Sequence, residues 1–230
     1  NSVEFLFHFP DGSEFSSKGV NVIDSDQENG KLSFKFEETQ GIAVTMTFWV
    51  GDDGNTLRKQ ISFVQSSDKT IDYILLEHIG ITNSKTHFTV PTDIKGTELD
   101  GFQSSLGQPF YIDTLFFGCE FPATQNIILY GIGQVKYFLG KKINGEFKCP
   151  VTVIGGAESD LMVDVQKSFY EYIEDISTKT DLRLQYNSWY DYMKDITADN
   201  IEKSFYEIEK GLTSNGVPPL DAYVVDDGWV

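Results

Sequence analysis

The chain has 230 residues, 40% of them apolar and 14% aromatic, enough for one large globular domain or two modest ones. Its formal charge of −17 repels nucleic acid and anionic membrane alike but is indifferent to neutral ligands such as sugars. Cys119 and Cys149 are its only cysteines, which leaves no disulfide framework and no metal-ligand spacing, with a single bridge between the two still open, and no apolar run reaches the length of a membrane span.

Asn1-Ser2-Val3 opens directly in strand-like sequence, so the chain reads as cut from something longer. Cytoplasmic, periplasmic and secreted placement all stay open. From Val3 to about Thr152 the pattern is almost wholly β. Phe5, Phe7 and Phe9 alternate with Leu6 and His8, and Pro10-Asp11-Gly12 turns the chain. Leu32, Phe34 and Phe36 alternate with Ser33 and Lys35. Ile42, Val44, Met46 and Phe48 keep one face, with Ala43, Thr45 and Thr47 opposite. Gly51-Asp52-Asp53-Gly54-Asn55 reads as a hairpin turn whose acids serve local hydrogen bonds, and Leu57 to Val64 returns from it. Tyr73 to Ile81 is another strand. Many short strands separated by turn signals predict an antiparallel β-sandwich over 1–155.

Isolated features in this part have structural readings. His8, His78 and His87 have no ligand spacing, and Gly131-Ile132-Gly133 lacks the lysine and helix opening of a phosphate loop. Gly107 to Pro122 crowds aromatics and glycines around Glu120, which reads as a structural carboxylate paired across a domain interface. Leu161, Val165, Phe169, Tyr172, Ile173 and Ile176 then recur at helical spacing, predicting a linking helix within 156–180.

The stretch 181–230 predicts strand, helix, strand. Leu182, Leu184 and Tyr186 lead into Asn187-Ser188-Trp189-Tyr190. Ile201, Phe205, Ile208 and Leu212 share one helical face; Thr197 is placed to cap it, and Gly211, Gly216 and Pro218-Pro219 to stop it. Ala222-Tyr223-Val224-Val225 leads into Asp226-Asp227-Gly228-Trp229. Such a βαβ unit makes the strands parallel with a right-handed crossover, and both polar-aromatic motifs fall beyond strand carboxyl ends, where α/β folds do chemistry. Paired carboxylates there accept several hydroxyl hydrogen bonds, and Trp189 and Trp229 offer flat faces to the C–H side of a pyranose. The plain alternative is a surface Asp-Asp turn beside two core tryptophans.

Asn-Ser-Trp after one strand and Asp-Asp-Gly-Trp after the next resemble the opening of the catalytic barrel in the melibiase-type α-galactosidases of glycoside hydrolase family 36, which include α-N-acetylgalactosaminidases. The run Gly107-Gln108-Pro109 to Pro122 is similar to the sandwich preceding that barrel in some members. The resemblance implies a mainly β chain: an antiparallel supersandwich, a linking helix, then from residue 181 the first βαβ unit of a (β/α)8 barrel. It implies retaining hydrolysis of terminal α-galactosides without metal or cofactor. Asp226 and Asp227 would bind the hydroxyls at C4 and C6, Trp189 would pack beside the ring and Trp229 would shape the pocket. The nucleophile and acid/base aspartates of the family lie on later barrel strands with no counterpart here, so no residue is assigned as catalytic and the fragment alone is expected to be inactive. Tyr190 and Val230 depart from the usual pattern, as in a divergent subgroup. Two other readings stay open: a non-catalytic sandwich that binds carbohydrate or supports a homo-oligomer, and a raffinose-synthase-like transglycosidase.

Overall fold

Strand alternation decides which side chains make the core. Phe5, Phe7 and Phe9 are at most 1% exposed, while Leu6 and His8 between them stay half-buried. The computed structural model describes residues 2–81, 84–89 and 107–228. They form two compact units, Asn1–Ile176 and Ser177–Val230.

The first unit is built on two antiparallel sheets, as the alternation predicts. The five-stranded sheet runs, in spatial order, Thr124–Leu129, Ile132–Lys141, Ile71–Gly80, Leu6–His8 and Glu14–Ser16. The nine-stranded sheet runs Val22–Glu28, Lys31–Phe36, Ile42–Val50, Thr56–Gln65, Thr152–Gly156, Leu115–Cys119, Phe110–Ile112 and His87–Thr89, with Gly145–Lys148 also paired to Thr56–Gln65. One core cluster draws on both sheets, Ile42, Val44, Met46, Ile61 and Phe63 from the larger and Phe7, Ile74 and Val135 from the smaller, with Phe5 joining it from just before Leu6–His8. Rings interlock at its centre: Phe5 meets Phe7, Phe15 and Phe36 edge-on at 5.1–5.8 Å between centroids. Cys119 and Cys149 are free thiols, the second buried.

An inward polar position on Thr56–Gln65 escaped the sequence reading. Lys59 lies inside the sandwich, where its Nζ donates to Glu77 Oε2 at 2.8 Å and to the Glu4 carbonyl at 3.0 Å. Thr152 Oγ1 completes the set by donating to Glu77 Oε1 at 2.5 Å. Lys59 and Glu77 stand on different sheets and are 4% and 5% exposed, so each charge depends on the other. A register shift between Val135 and Lys136 lets Glu77 share the inward side with its apolar neighbours.

The predicted helix spans Met162–Ile176 and belongs to this first unit. Val165, Phe169 and Tyr172 pack on Tyr111, Phe116 and Val153 of the nine-stranded sheet. The Phe116 ring lies over its cross-strand partner Gly155, where an added Cβ would sit 2.0 Å from it; any larger residue would lift the ring into the helix. Leu161 and Ile173, read as part of the packing stripe, are instead 62% and 39% exposed. Glu120 accepts from Tyr172 Oη at 2.8 Å and stands 3.3 Å from Arg58 Nε. Its partners thus lie within the first unit, a correction to the expected pairing across a domain interface. Burial and that bond push the Tyr172 hydroxyl well above its ordinary pKa. Asp53 behaves as a turn acid, its Oδ1 accepting from Asn55 N, Thr56 N and Thr56 Oγ1.

The second unit has a two-stranded parallel sheet, Gln185–Asn187 against Ala222–Val224. Two helices intervene, Trp189–Tyr192 and Ala198–Ser214. Thr197 caps the long helix as predicted, in a reciprocal box with Asn200. Gly211 lies inside the helix, and Gly216 with φ +73° follows its end, so only the second glycine marks the stop. The first strand is shorter than predicted, with Leu182 and Leu184 87% and 57% exposed. Leu184 is held by its backbone, donating to Asp221 Oδ2 and accepting from Asp221 N.

Candidate functional site

The parallel pairing sets the two motifs side by side. Asn187 and Val224 are register partners at the carboxyl ends of their strands, so Ser188-Trp189 and Val225-Asp226-Asp227 leave the sheet at the same end. Ser188 ties the two exits together. Its N–H donates to the Val224 carbonyl at 3.1 Å, and its Oγ accepts from Asp226 N at 2.9 Å. It is fully buried.

Asn187 carries the next bonds. Its Nδ2 donates to Asp226 Oδ2 at 2.8 Å, and its Oδ1 accepts from Trp189 N at 2.9 Å. One amide side chain therefore fixes an acid on one strand exit and the backbone of an indole on the other. The Asp226 Oδ1 accepts from Asp227 N at 2.7 Å. That backbone bond, then the Asn187 bond, holds the Asp226 carboxyl below its usual pKa, so it is ionised at neutral pH. Each carboxylate oxygen still has a second lone pair for a ligand hydroxyl.

Asp227 is the exposed member of the pair, its Oδ1 accepting from Gly228 N at 2.8 Å. Gly228 has φ +107°, and a Cβ there would lie 2.7 Å from the Lys194 backbone. Only glycine lets the chain turn so close to that loop. Tyr186 Oη donates to Asp191 Oδ2 at 2.5 Å. Burial and this bond push the phenol up to about 12, so it remains a donor that holds the one-turn helix Trp189–Tyr192.

Of the residues singled out from sequence, Trp189, Asp226 and Asp227 are gathered at one end of the parallel pair. Trp229 lies outside the described residues. Asn187 and Ser188 were read only as part of a motif, yet they make the bonds that join its halves. The residue types were a signal: Asn and Ser side chains readily bond backbone groups where a strand gives way to a turn. Asp191, read as part of an acidic loop, sits in the one-turn helix Trp189–Tyr192 that the pattern did not predict.

No family model matches the chain, and no curated protein does. Solved structures with a similar course include the glycoside hydrolase family 36 α-galactosidase AgaB of Geobacillus stearothermophilus, 11% identical over 98% of this chain and 39% of that one, with a TM-score of 0.47. The α-galactosidase of Lactobacillus brevis is 10% identical over 98% of this chain and 38% of that one, with a TM-score of 0.44. The α-N-acetylgalactosaminidase NagBb of Bifidobacterium bifidum is 12% identical over 92% and 37% of the two chains, with a TM-score of 0.48. The chain thus spans about two fifths of the length of these structures.

Proposed function

We propose that the chain is the amino-terminal part of a retaining, exo-acting glycoside hydrolase that removes terminal α-linked galactose or N-acetylgalactosamine from oligosaccharides. One observation carries this reading: the parallel pairing of Gln185–Asn187 with Ala222–Val224, which brings Asn-Ser-Trp and Asp-Asp-Gly to one sheet end with Asn187 bonded to Asp226. The unit is then the first βαβ repeat of a (β/α)8 barrel, and that end is its ligand face.

The chemistry of each residue follows. Asp226, ionised and held by Asn187, and Asp227, exposed beside it, accept hydrogen bonds from adjacent sugar hydroxyls. Trp189 packs beside the pyranose ring, and Trp229 is assigned to help shape the pocket. No residue between 1 and 230 is assigned as nucleophile or general acid. The two carboxyl groups about 5 Å apart that retaining hydrolysis requires are assigned elsewhere in the enzyme.

The test is kinetic. In the enzyme that carries this chain, Asp227→Ala lowers kcat/KM on an aryl α-galactoside roughly 10- to 150-fold for each bond lost, since a bond to a charged acceptor is worth about 1.5–3 kcal/mol. Residues 1–230 alone show no turnover. An unchanged kcat/KM in Asp227→Ala, or turnover by the isolated chain, overturns the reading.

A further inference from the structure

The outward face of the nine-stranded sheet has two halves of opposite character. Beneath the helix Met162–Ile176 it presents Tyr111, Phe116 and Val153. Arg58 pairs with Val153 and marks the same side of the next strand. Following that side across the register, Arg58 pairs with Trp49, Trp49 with Lys31, and Thr47 with both Gln60 and Ser33. Among the described residues of the first unit, no helix packs on this half. It forms the floor of a cavity of about 480 Å³, bordered by Asp26, Glu28 and Asn29 on one side and by Glu146 and Lys148 on the other. That volume is in the range of ligand clefts, roughly 300–1,000 Å³.

The floor differs from an ordinary solvated sheet face. Its central side chains are hydroxyls and an amide, with most charges displaced to the rims, and a large indole is placed on the solvent side. Several groups are already fixed. Ser33 and Thr47 hydroxyls bond each other at 2.9 Å, Gln60 Nε2 donates to the Cys149 carbonyl at 3.1 Å, and the Lys31 ammonium stands 4.6 Å over one face of the Trp49 ring. Groups held this way lose little freedom when a ligand arrives. Three carboxylates and two ammonium groups border the cavity, nearly in balance within a chain of charge −17. A polyanion is repelled, and the ligand that matches neutral hydrogen-bonding groups around one flat ring is a neutral sugar chain.

We propose that this trough binds a neutral oligosaccharide, with one pyranose stacked on the open side of Trp49 and its hydroxyls bonded by Gln60 and the Ser33–Thr47 pair. The site lies wholly on the first unit and is independent of the role given to Asp226 and Asp227.

Affinity electrophoresis of the full chain in gels holding galactomannan, xyloglucan, starch or polygalacturonate tests it, followed by calorimetry with the tetrasaccharide of whichever polymer retards it. At least one neutral polymer is expected to retard the chain. Trp49→Ala and the milder Ser33→Ala/Thr47→Val are each expected to weaken binding about tenfold or more, as for an aromatic anchor and its polar neighbours, with unchanged thermal unfolding. Asp227→Ala is expected to leave that binding as it was, which separates this site from the other. The proposal is overturned by retardation in none of the neutral gels, by preference for polygalacturonate, or by equal binding in the folded Ser33→Ala/Thr47→Val variant. Self-association that depends on Trp49, without glycan binding, overturns it too and makes the face a contact between copies.

Discussion

The two units of the chain are stabilised by different means. In Asn1–Ile176, a large interlocked set of aromatic and aliphatic side chains is removed from water, and the strands hold their shape because that set has one good packing. In the second unit only Ser188 is buried among the described residues, and no residue of the helix Ala198–Ser214 is. Its geometry is written instead in side-chain hydrogen bonds: Asn187 to Asp226, Ser188 to Asp226 N, Tyr186 to Asp191 and Tyr223 to Glu209. The lesson is that hydrogen bonds specify where groups stand but contribute modest net stability, about 0.5–1.5 kcal/mol each, whereas apolar burial supplies most of it.

The largest effects belong to the sandwich, and they sharpen the contrast. Lys59→Met leaves the buried Glu77 carboxyl without its partner and is expected to cost about 3–5 kcal/mol in urea unfolding. The double variant Lys59→Met/Glu77→Leu is expected to regain most of that loss; if it stays as unstable as the single, the pair is not what couples the two sheets. Phe5→Ala, beneath three neighbouring rings, is expected to cost about 3–5 kcal/mol. Phe205→Ala in the second unit removes contacts to Tyr186 and Tyr223 from a half-buried ring, and its cost is expected to be less than half as large. Equal costs for Phe5 and Phe205 would break the comparison.

Smaller effects probe the hydrogen-bonded unit from within. Thr197→Ala is expected to cost about 1 kcal/mol and to appear as faster amide exchange in the first turn of Ala198–Ser214, with the sandwich amides unchanged. The smallest is electrostatic. The Asp226 pKa is depressed, so its contribution is present above the ordinary carboxylate value and is lost as pH falls through the folded value. Asn187→Leu removes one of the two bonds responsible. Carbon-13 titration of the Asp226 carboxyl is expected to move up toward the ordinary value, and an unmoved titration would show that Asn187 does not hold it.

Much of the sandwich was legible because alternation is a short-range signal tied to burial. Phe5, Phe7, Ile42 and Val44 point inward as their spacing requires. Lys59 and Glu77 were not legible, because each looks like an error until the other is seen on the facing sheet. The long helix was read correctly at Thr197, where a local box fixes its start, and wrongly at Gly211, where the following turn tolerates a glycine inside the helix. At the candidate site, residue types and strand ends were legible. The ties through Asn187 and Ser188 were not, since they join positions separated by 39 and 38 residues.

The strand Val22–Glu28 is exposed along its whole length and terminates the nine-stranded sheet among the described residues. Asp24, Asp26 and Glu28 recur along it at every second position. A bare strand margin is a template for another chain to add to, and rows of like charge are what keep two such margins apart. Acidification is therefore expected to weaken that separation. Once those carboxyls are neutralised, the same margin becomes adhesive, and clouding on acidification should begin there rather than in the hydrogen-bonded βαβ unit.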